Sequence, residues 1–350
     1  MQIKNASALR AHLLEGHVIP ALPLALTADR KWDERHERAL VRYYLDAGVG
    51  GLAVGVHSTQ FAIRDAAHGL YEPVLRLAAT TARAWGSDRA KRCALIAGLC
   101  GKTAQAVAEA TTARAHGYHA GLLSLGAWNA APEGEILEHC RVVARHIPLI
   151  GFYLQPAVGG RRFSYRFWCE FAEIPELVAI KIAPFNRYGT IDVVRAVSAA
   201  GRHDVALYTG NDDNIIADLL TRFDFGHGPR FISGGLLGQW GVWTERAVAL
   251  LERIKSDRTR AEQAADWNTR NAQLTDANAT IFDAANGFAG CIPGIHEVLR
   301  RQGLLVSTAC LDPHEQLSTG QADEISRVAA AYPWLVDDAF VAANLTRWLA

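Results

Sequence analysis

Leu177–Ile182 reads LVAIKI, five apolar residues interrupted by one lysine. A continuous apolar run of this length, in place of an alternating one, marks a strand covered on both faces. Working outward, seven more such runs occur: VIPALPLAL (18–26), GLAVGV (51–56), ALIAGLC (94–100), HAGLLSL (119–125), PLIGFYL (148–154), VALYTG (205–210) and FISGGLLG (231–238). Helix-like segments separate them. Residues 33–47 put Leu40, Val41, Tyr44 and Leu45 on one face and stop at Gly48. Residues 103–116 turn Val107, Ala108 and Ala110 inward before Gly117, and 191–200 end at Gly201. Eight strand–helix units predict an α/β fold of the (β/α)8 TIM barrel type, because the count closes a ring. An open nucleotide-binding sheet would carry a glycine-rich turn after its first strand, and LTADRKWD (26–33) has no glycine there.

Past Gly238 the strand-like runs cease. Segments 240–257, 260–285, 294–305 and 321–335 have helical patterning. The first reads as the last barrel helix, which predicts a barrel over 1–256 and a C-terminal helical extension over 257–350, packed on the barrel. Trp240 and Trp243 are expected to pack between the two.

Composition narrows the partners. Among 350 residues half are apolar, and Lys+Arg equals Asp+Glu at 36 each without a long run of like charge, so neither nucleic acid nor a membrane surface is an expected partner. Six scattered cysteines form no CxxC or CxxH pair and read as reduced thiols, with no metal site. The N-terminal stretch has no basic flank followed by an apolar core, so a cytoplasmic location is expected. Gly101-Lys102-Thr103 lacks the upstream glycine of a phosphate loop. His139 and His146, seven apart in one predicted helix, read as surface or packing residues, and Asp212 and Asp213 as helix N-cap residues.

In a (β/α)8 barrel the reacting groups sit at the C-terminal ends of the strands and in the loops that follow. Only six lysines occur, and Lys181 alone interrupts an apolar strand. Burial lowers a lysine pKa by as much as ~3–5 units, and a neutral amine is a nucleophile for carbonyl carbon. Such chemistry needs a proton shuttle. Tyr153, on the preceding strand, is the candidate.

These residues carry a resemblance. DAGVGGLAVG (46–55), GFYLQP (151–156), VAIKIAP (178–184), TGNDD (209–213), FISGGLLG and the tail LDPHEQLSTGQADEI (311–325) together resemble the dihydrodipicolinate synthase / N-acetylneuraminate lyase family, the class I Schiff-base lyases. The Tyr153-to-Lys181 spacing makes the likeness specific. The resemblance implies Lys181 as the imine-forming lysine and Tyr153 as the proton-transfer tyrosine, with no cofactor beyond the protein's own lysine. It also implies a homo-oligomer, dimer or tetramer.

The departures matter too. Where the family has Gly-Thr-Thr-Gly-Glu or Gly-Ser-Thr-Gly-Glu after strand two, this chain reads Gly55-Val56-His57-Ser58-Thr59-Gln60. His57, Ser58 and Thr59 remain candidate donors to a carboxylate, joined by Tyr208 and Gly210 at the end of strand seven. Val158 stands where the synthases carry a carboxylate-binding arginine, and Trp128 where a tyrosine extends their proton relay. The implied function is therefore an aldolase or dehydratase of a 2-oxo acid, such as pyruvate or a 2-keto-3-deoxy sugar acid, and not a true dihydrodipicolinate synthase. Two alternatives stay open. One is a non-catalytic metabolite-binding barrel that keeps the lysine. The other is a metal- or phosphate-using barrel in which Lys181 pairs with a substrate anion.

Overall fold

The computed structural model describes residues 3–85, 92–260 and 265–350. Helix α1 (Ala6–Glu15) precedes β1 (Val18–Pro20), and from there helices and strands alternate: α2 (Glu34–Ala47), β2 (Gly51–Val54), α3 (Tyr71–Ala84), β3 (Ala94–Leu99), α4 (Thr103–Ala115), β4 (Ala120–Leu123), α5 (Glu133–Ala144), β5 (Leu149–Leu154), α6 (Tyr165–Ala172), β6 (Leu177–Ala183), α7 (Arg187–Ala199), β7 (Ala206–Thr209), α8 (Ile215–Leu220), β8 (Gly234–Leu237) and α9 (Thr244–Asp257). The eight strands pair in parallel in chain order, and β1 pairs with β8. A bridge between Ala21 and Ala53, with the Leu22 N–H donating to the Ala53 carbonyl at 2.8 Å, closes the ring. The expected (β/α)8 barrel is the fold. The first apolar run yields only three strand residues, because Pro20 and Pro23 have no N–H to give a ladder. Helix α5 stops at Ala144, so His146 lies beyond it. His139 is buried, 4.7 Å from the Trp128 ring.

Strand alternation divides the apolar residues into two sets. Ile19, Ala53, Ile96, Leu122, Ile150, Phe152, Tyr208 and Leu236 fill the barrel interior together with Leu9 and Leu13 of α1. The alternate residues, among them Leu52, Val54, Tyr153, Ile180 and Ile182, join the larger cluster between sheet and helices. Helix α1 plugs the N-terminal end of the barrel. Its Leu13 carbonyl accepts the Tyr208 hydroxyl at 2.8 Å, and Arg10 binds the carbonyls of Pro175 and, at 3.2 Å, Leu177.

The chain after α9 forms α10 (Trp267–Ile281), α11 (Cys291–Arg301), α12 (Gln321–Ala331) and α13 (Asp338–Leu349). Three of these match expected segments, although residues 261–264 of the predicted 260–285 helix lie outside the described residues. The fourth, α13, runs back to α2. Trp348 is buried with its ring 5.3 Å from Tyr43, and its indole N–H reaches the Asp46 carboxylate at 2.6 Å. Just before α13, the buried Asp337 accepts the Tyr43 hydroxyl and the Gln302 amide, each at 2.8 Å. Between α11 and α12 the Leu311 N–H donates to Gln60 Oε1 at 2.6 Å, tying the extension to the loop after β2. Trp240 and Trp243 are both buried.

Candidate active site

Lys181 lies in register with Phe152 of β5 and Tyr208 of β7, and all three face the barrel interior. Its ammonium stands 4.6 Å from the centre of the Phe152 ring. A Cβ at Gly210 would come within 2.7 Å of Lys181 Cε, so the glycine makes room for the lysine stem. The amine opens into a chamber at the C-terminal end of the barrel. His57, Ser58, Phe152, Gly210 and Asp212 line it beside the lysine, and α11 with the turn before it adds Phe288, Cys291 and Ile295. The chamber holds about 90 Å³ and is partly open to solvent, which suits a small metabolite.

Electrostatics single out three groups. Burial draws the Lys181 amine down from the usual lysine range to about 8, against the opposing attraction of Asp212. Burial pushes the Asp212 carboxyl up to about 7, against the opposing attraction of Lys181. Both shifts have the same sign of cause: enclosed charge is disfavoured on each partner. Enclosure thus favours the neutral form of each partner, which brings the lysine's free lone pair closer to neutral pH than in an exposed lysine. Asp212 Oδ1 is buried without a hydrogen-bond partner. His57, enclosed and close to the Lys181 charge, is pulled down to about 4 and is neutral at pH 7.

The predicted residues fare unequally. His57, Ser58, Gly210 and Lys181 share the chamber. Thr59 is fully buried and spends its hydroxyl on backbone, donating to the Leu22 carbonyl at 2.6 Å and accepting the Gly55 N–H at 3.0 Å. Tyr208 faces inward but sends its hydroxyl down to α1. Neither is brought to the chamber. Tyr153, one position past Phe152, falls on the outer face of the sheet. Its ring packs 4.9 Å from Trp168 and 6.0 Å from Phe163, and its hydroxyl lies at Gly189 of α7. The expected proton-transfer tyrosine is therefore turned away from the lysine.

The N-cap reading of Asp212 is corrected. Helix α8 begins at Ile215 with Asn214 before it, and the Asp212 carboxyl faces Lys181 instead. Its position three residues past the end of the seventh strand was the signal available in the sequence. Helix α10 fixes this turn: Asn278 donates to the Asp212 carbonyl at 2.8 Å and Thr275 to that of Asp213 at 2.9 Å. The buried Asn211 accepts the Phe185 N–H at 3.0 Å and donates to Asp218 at 2.9 Å.

Two residues around the chamber are held in the left-handed backbone region, Phe185 at φ 48° and Phe288 at φ 70°. Bulky side chains adopt that region at a cost of order 1–3 kcal/mol each, and such strain gathers at functional sites. Their rings meet edge to face at 6.1 Å.

Among the described residues one group has metal-ligand composition, His12, Glu15 and His17, at the opposite, N-terminal end of the barrel. The two imidazoles stack 4.0 Å apart with 22° between planes, so their in-plane lone pairs run alongside each other and do not converge. As arranged, they do not form a metal centre.

A closed (β/α)8 barrel with a half-buried lysine and a carboxyl beside it at the C-terminal mouth is the class of molecule these observations define. The chain belongs to the dihydrodipicolinate synthetase family, whose model matches residues 15–332. It is 22% identical over 316 residues to N-acetylneuraminate lyase 2 of Escherichia coli O6:H1, across 89% of this chain and 92% of that one. Its fold is similar to that of dihydrodipicolinate synthase from Agrobacterium tumefaciens (TM-score 0.72, 18% identity, 91% of this chain and 99% of that one). It is also similar to N-acetylneuraminate lyase from Fusobacterium nucleatum complexed with pyruvate (TM-score 0.68, 18% identity, 91% and 97%). No helix among the described residues is long and apolar enough to cross a membrane.

Proposed function

We propose that this protein is a Schiff-base lyase of a 2-oxo acid, with Lys181 as the imine-forming amine and Asp212, in place of Tyr153, as its proton-transfer partner. The observation that carries the reading is the enclosed Lys181–Asp212 pair at the floor of a small chamber. The neutral amine attacks the C2 carbonyl carbon. The Asp212 carboxylic acid protonates the departing hydroxyl, water leaves, and an iminium remains. The resulting carboxylate can then take a proton from C3, or from a C4 hydroxyl during C–C cleavage, with the iminium as the electron sink. His57 and Ser58 would donate to the substrate carboxylate, a role that their position in the chamber lining supports. No metal or added cofactor is required by these steps.

Pyruvate is the first substrate to test, since a family relative is known complexed with it. Val158 lines the chamber where a charged contact would serve a second carboxylate, so condensation with aspartate semialdehyde should be poor. We further infer a cytoplasmic homo-oligomer, with the helical extension from residue 257 completing the chamber. Lys181→Arg tests the reading: guanidinium keeps the charge but stays protonated, so the variant should fold and lose turnover. Retained turnover would overturn it. The outward Tyr153 favours one second reading, a metabolite-binding barrel without turnover, which binding of 2-oxo acids with no product formed would support.

A further inference from the structure

The chamber is polar at one end only. Lys181, Asp212, His57 and Ser58 gather at the floor, and among the described residues Lys181 is the single formal cation in the lining. The remaining wall is apolar or aromatic, built from Leu154 at the end of β5, Val158 beyond it, Phe185 after β6, and Phe282, Phe288 and Ile295 from the extension, with Gln155 as its one side-chain amide among the described residues. Two of these phenylalanines, Phe185 and Phe288, sit in strained left-handed backbone, and Asn211 anchors the first through its N–H. Strain retained at two aromatic positions of one wall, where a glycine would relieve it, points to a use for the rings themselves.

We propose that this wall receives the distal group of the substrate and selects an aromatic or otherwise apolar carbonyl acceptor over a polyhydroxylated or charged one. The inference rests on the Schiff-base reading of Lys181 and sharpens it, because it disfavours the sugar acids considered above. The pyruvyl unit would occupy the small space beside the lysine, which leaves the acceptor's substituent against the phenylalanines. Hydroxyls placed there would lose hydrogen bonds to water and find almost none in return, whereas an aryl ring exchanges water for edge-to-face contact. In the addition direction, C3 of the Lys181 enamine forms a bond to the aldehyde carbon. The carbonyl π pair moves to oxygen, which takes the proton held by Asp212. Hydrolysis of the iminium consumes one water and releases a 4-hydroxy-2-oxo acid and the free amine. Cleavage runs the same steps backward and yields pyruvate and the aldehyde.

The test uses the full chain with pyruvate and, separately, benzaldehyde, glyceraldehyde, N-acetylmannosamine and succinic semialdehyde, scoring kcat/KM for each. Borohydride trapping with pyruvate alone is run beside it. Benzaldehyde should be preferred to the other three at least tenfold. Phe288→Ser, checked for cooperative melting, should cut the benzaldehyde-to-glyceraldehyde ratio at least fivefold, and Phe185→Leu serves if that variant does not fold. Normal trapping with equal or better use of the hydroxylated or charged aldehydes, or with no aldehyde used at all, overturns this inference and leaves the lysine reading standing. Absence of trapping overturns the lysine reading, and this inference with it.

Discussion

Replacing Asp212 with asparagine separates the two roles given to this carboxyl. It keeps the shape of the side chain and the turn that α10 holds, but removes the charge and the titrating proton. Lys181 already lies near 8 because burial disfavours its charge, and Asp212 is the group that opposes the fall. Removing an opposite charge at close range typically moves a pKa by roughly 1–3 units, here further downward. The pH at which borohydride trapping of pyruvate reaches half its maximal rate should therefore move toward acid by about that amount, and trapping, slower without the acid that helps expel water, should still reach one adduct per chain. Turnover should not survive. A positioned acid–base group contributes about 10²–10⁴-fold, or roughly 3–5 kcal/mol at 1.36 kcal/mol per decade. The assay is a trapping rate at each pH from 5 to 10, as measured by intact mass, beside steady-state turnover of the best 2-oxo acid. Turnover within threefold of the wild type, or a trapping midpoint that moves toward alkaline pH, would refute the reasoning.

Four further outcomes are expected. Tyr153→Phe should change turnover by less than about threefold, as steady-state kinetics will show, since its hydroxyl lies at Gly189 and not at the lysine. Gly210→Ala should abolish trapping in a protein that still melts cooperatively, because the added methyl would stand 2.7 Å from Lys181 Cε. Burial raises the Glu37 carboxyl to about 8 from an ordinary 4.5, so the folded state keeps a proton that the unfolded chain releases, and stability falls as pH rises through that window. Glu37→Gln should then lose less stability between pH 5 and pH 8 than the wild type, by on the order of 2–4 kcal/mol in denaturant titrations. Trp348→Ala should cost about 3–5 kcal/mol by the same method, since the ring is fully buried between α13 and α2.

The barrel was legible because its strands are covered on both faces, and eight continuous apolar runs survive in the sequence as a countable pattern. Lys181 was legible for the same reason, as the one charge inside such a run. What the linear order could not convey is register. Lys181 pairs with Phe152, so alternation sends Phe152 inward and Tyr153 outward, and nothing in the spacing of Tyr153 from Lys181 reveals that. Tyr208 shares the inner face but reaches the plugged end, because the carbonyl that accepts its hydroxyl belongs to α1. That helix went unread because its apolar residues are too evenly distributed around it to mark a buried face, and it is held by two leucines inserted into the barrel. Asp212 was visible as a residue yet misread as a cap, since its burial depends on α10 and α11 folding back over the strand ends.

The most direct test of the central claim is the site of covalent capture. Incubation with pyruvate and borohydride, followed by intact-mass measurement and peptide mapping, should add one reduced adduct per chain, on the peptide that contains LVAIKIAP and on Lys181 within it. An adduct on another lysine, or none across a broad panel of 2-oxo acids, would contradict the account.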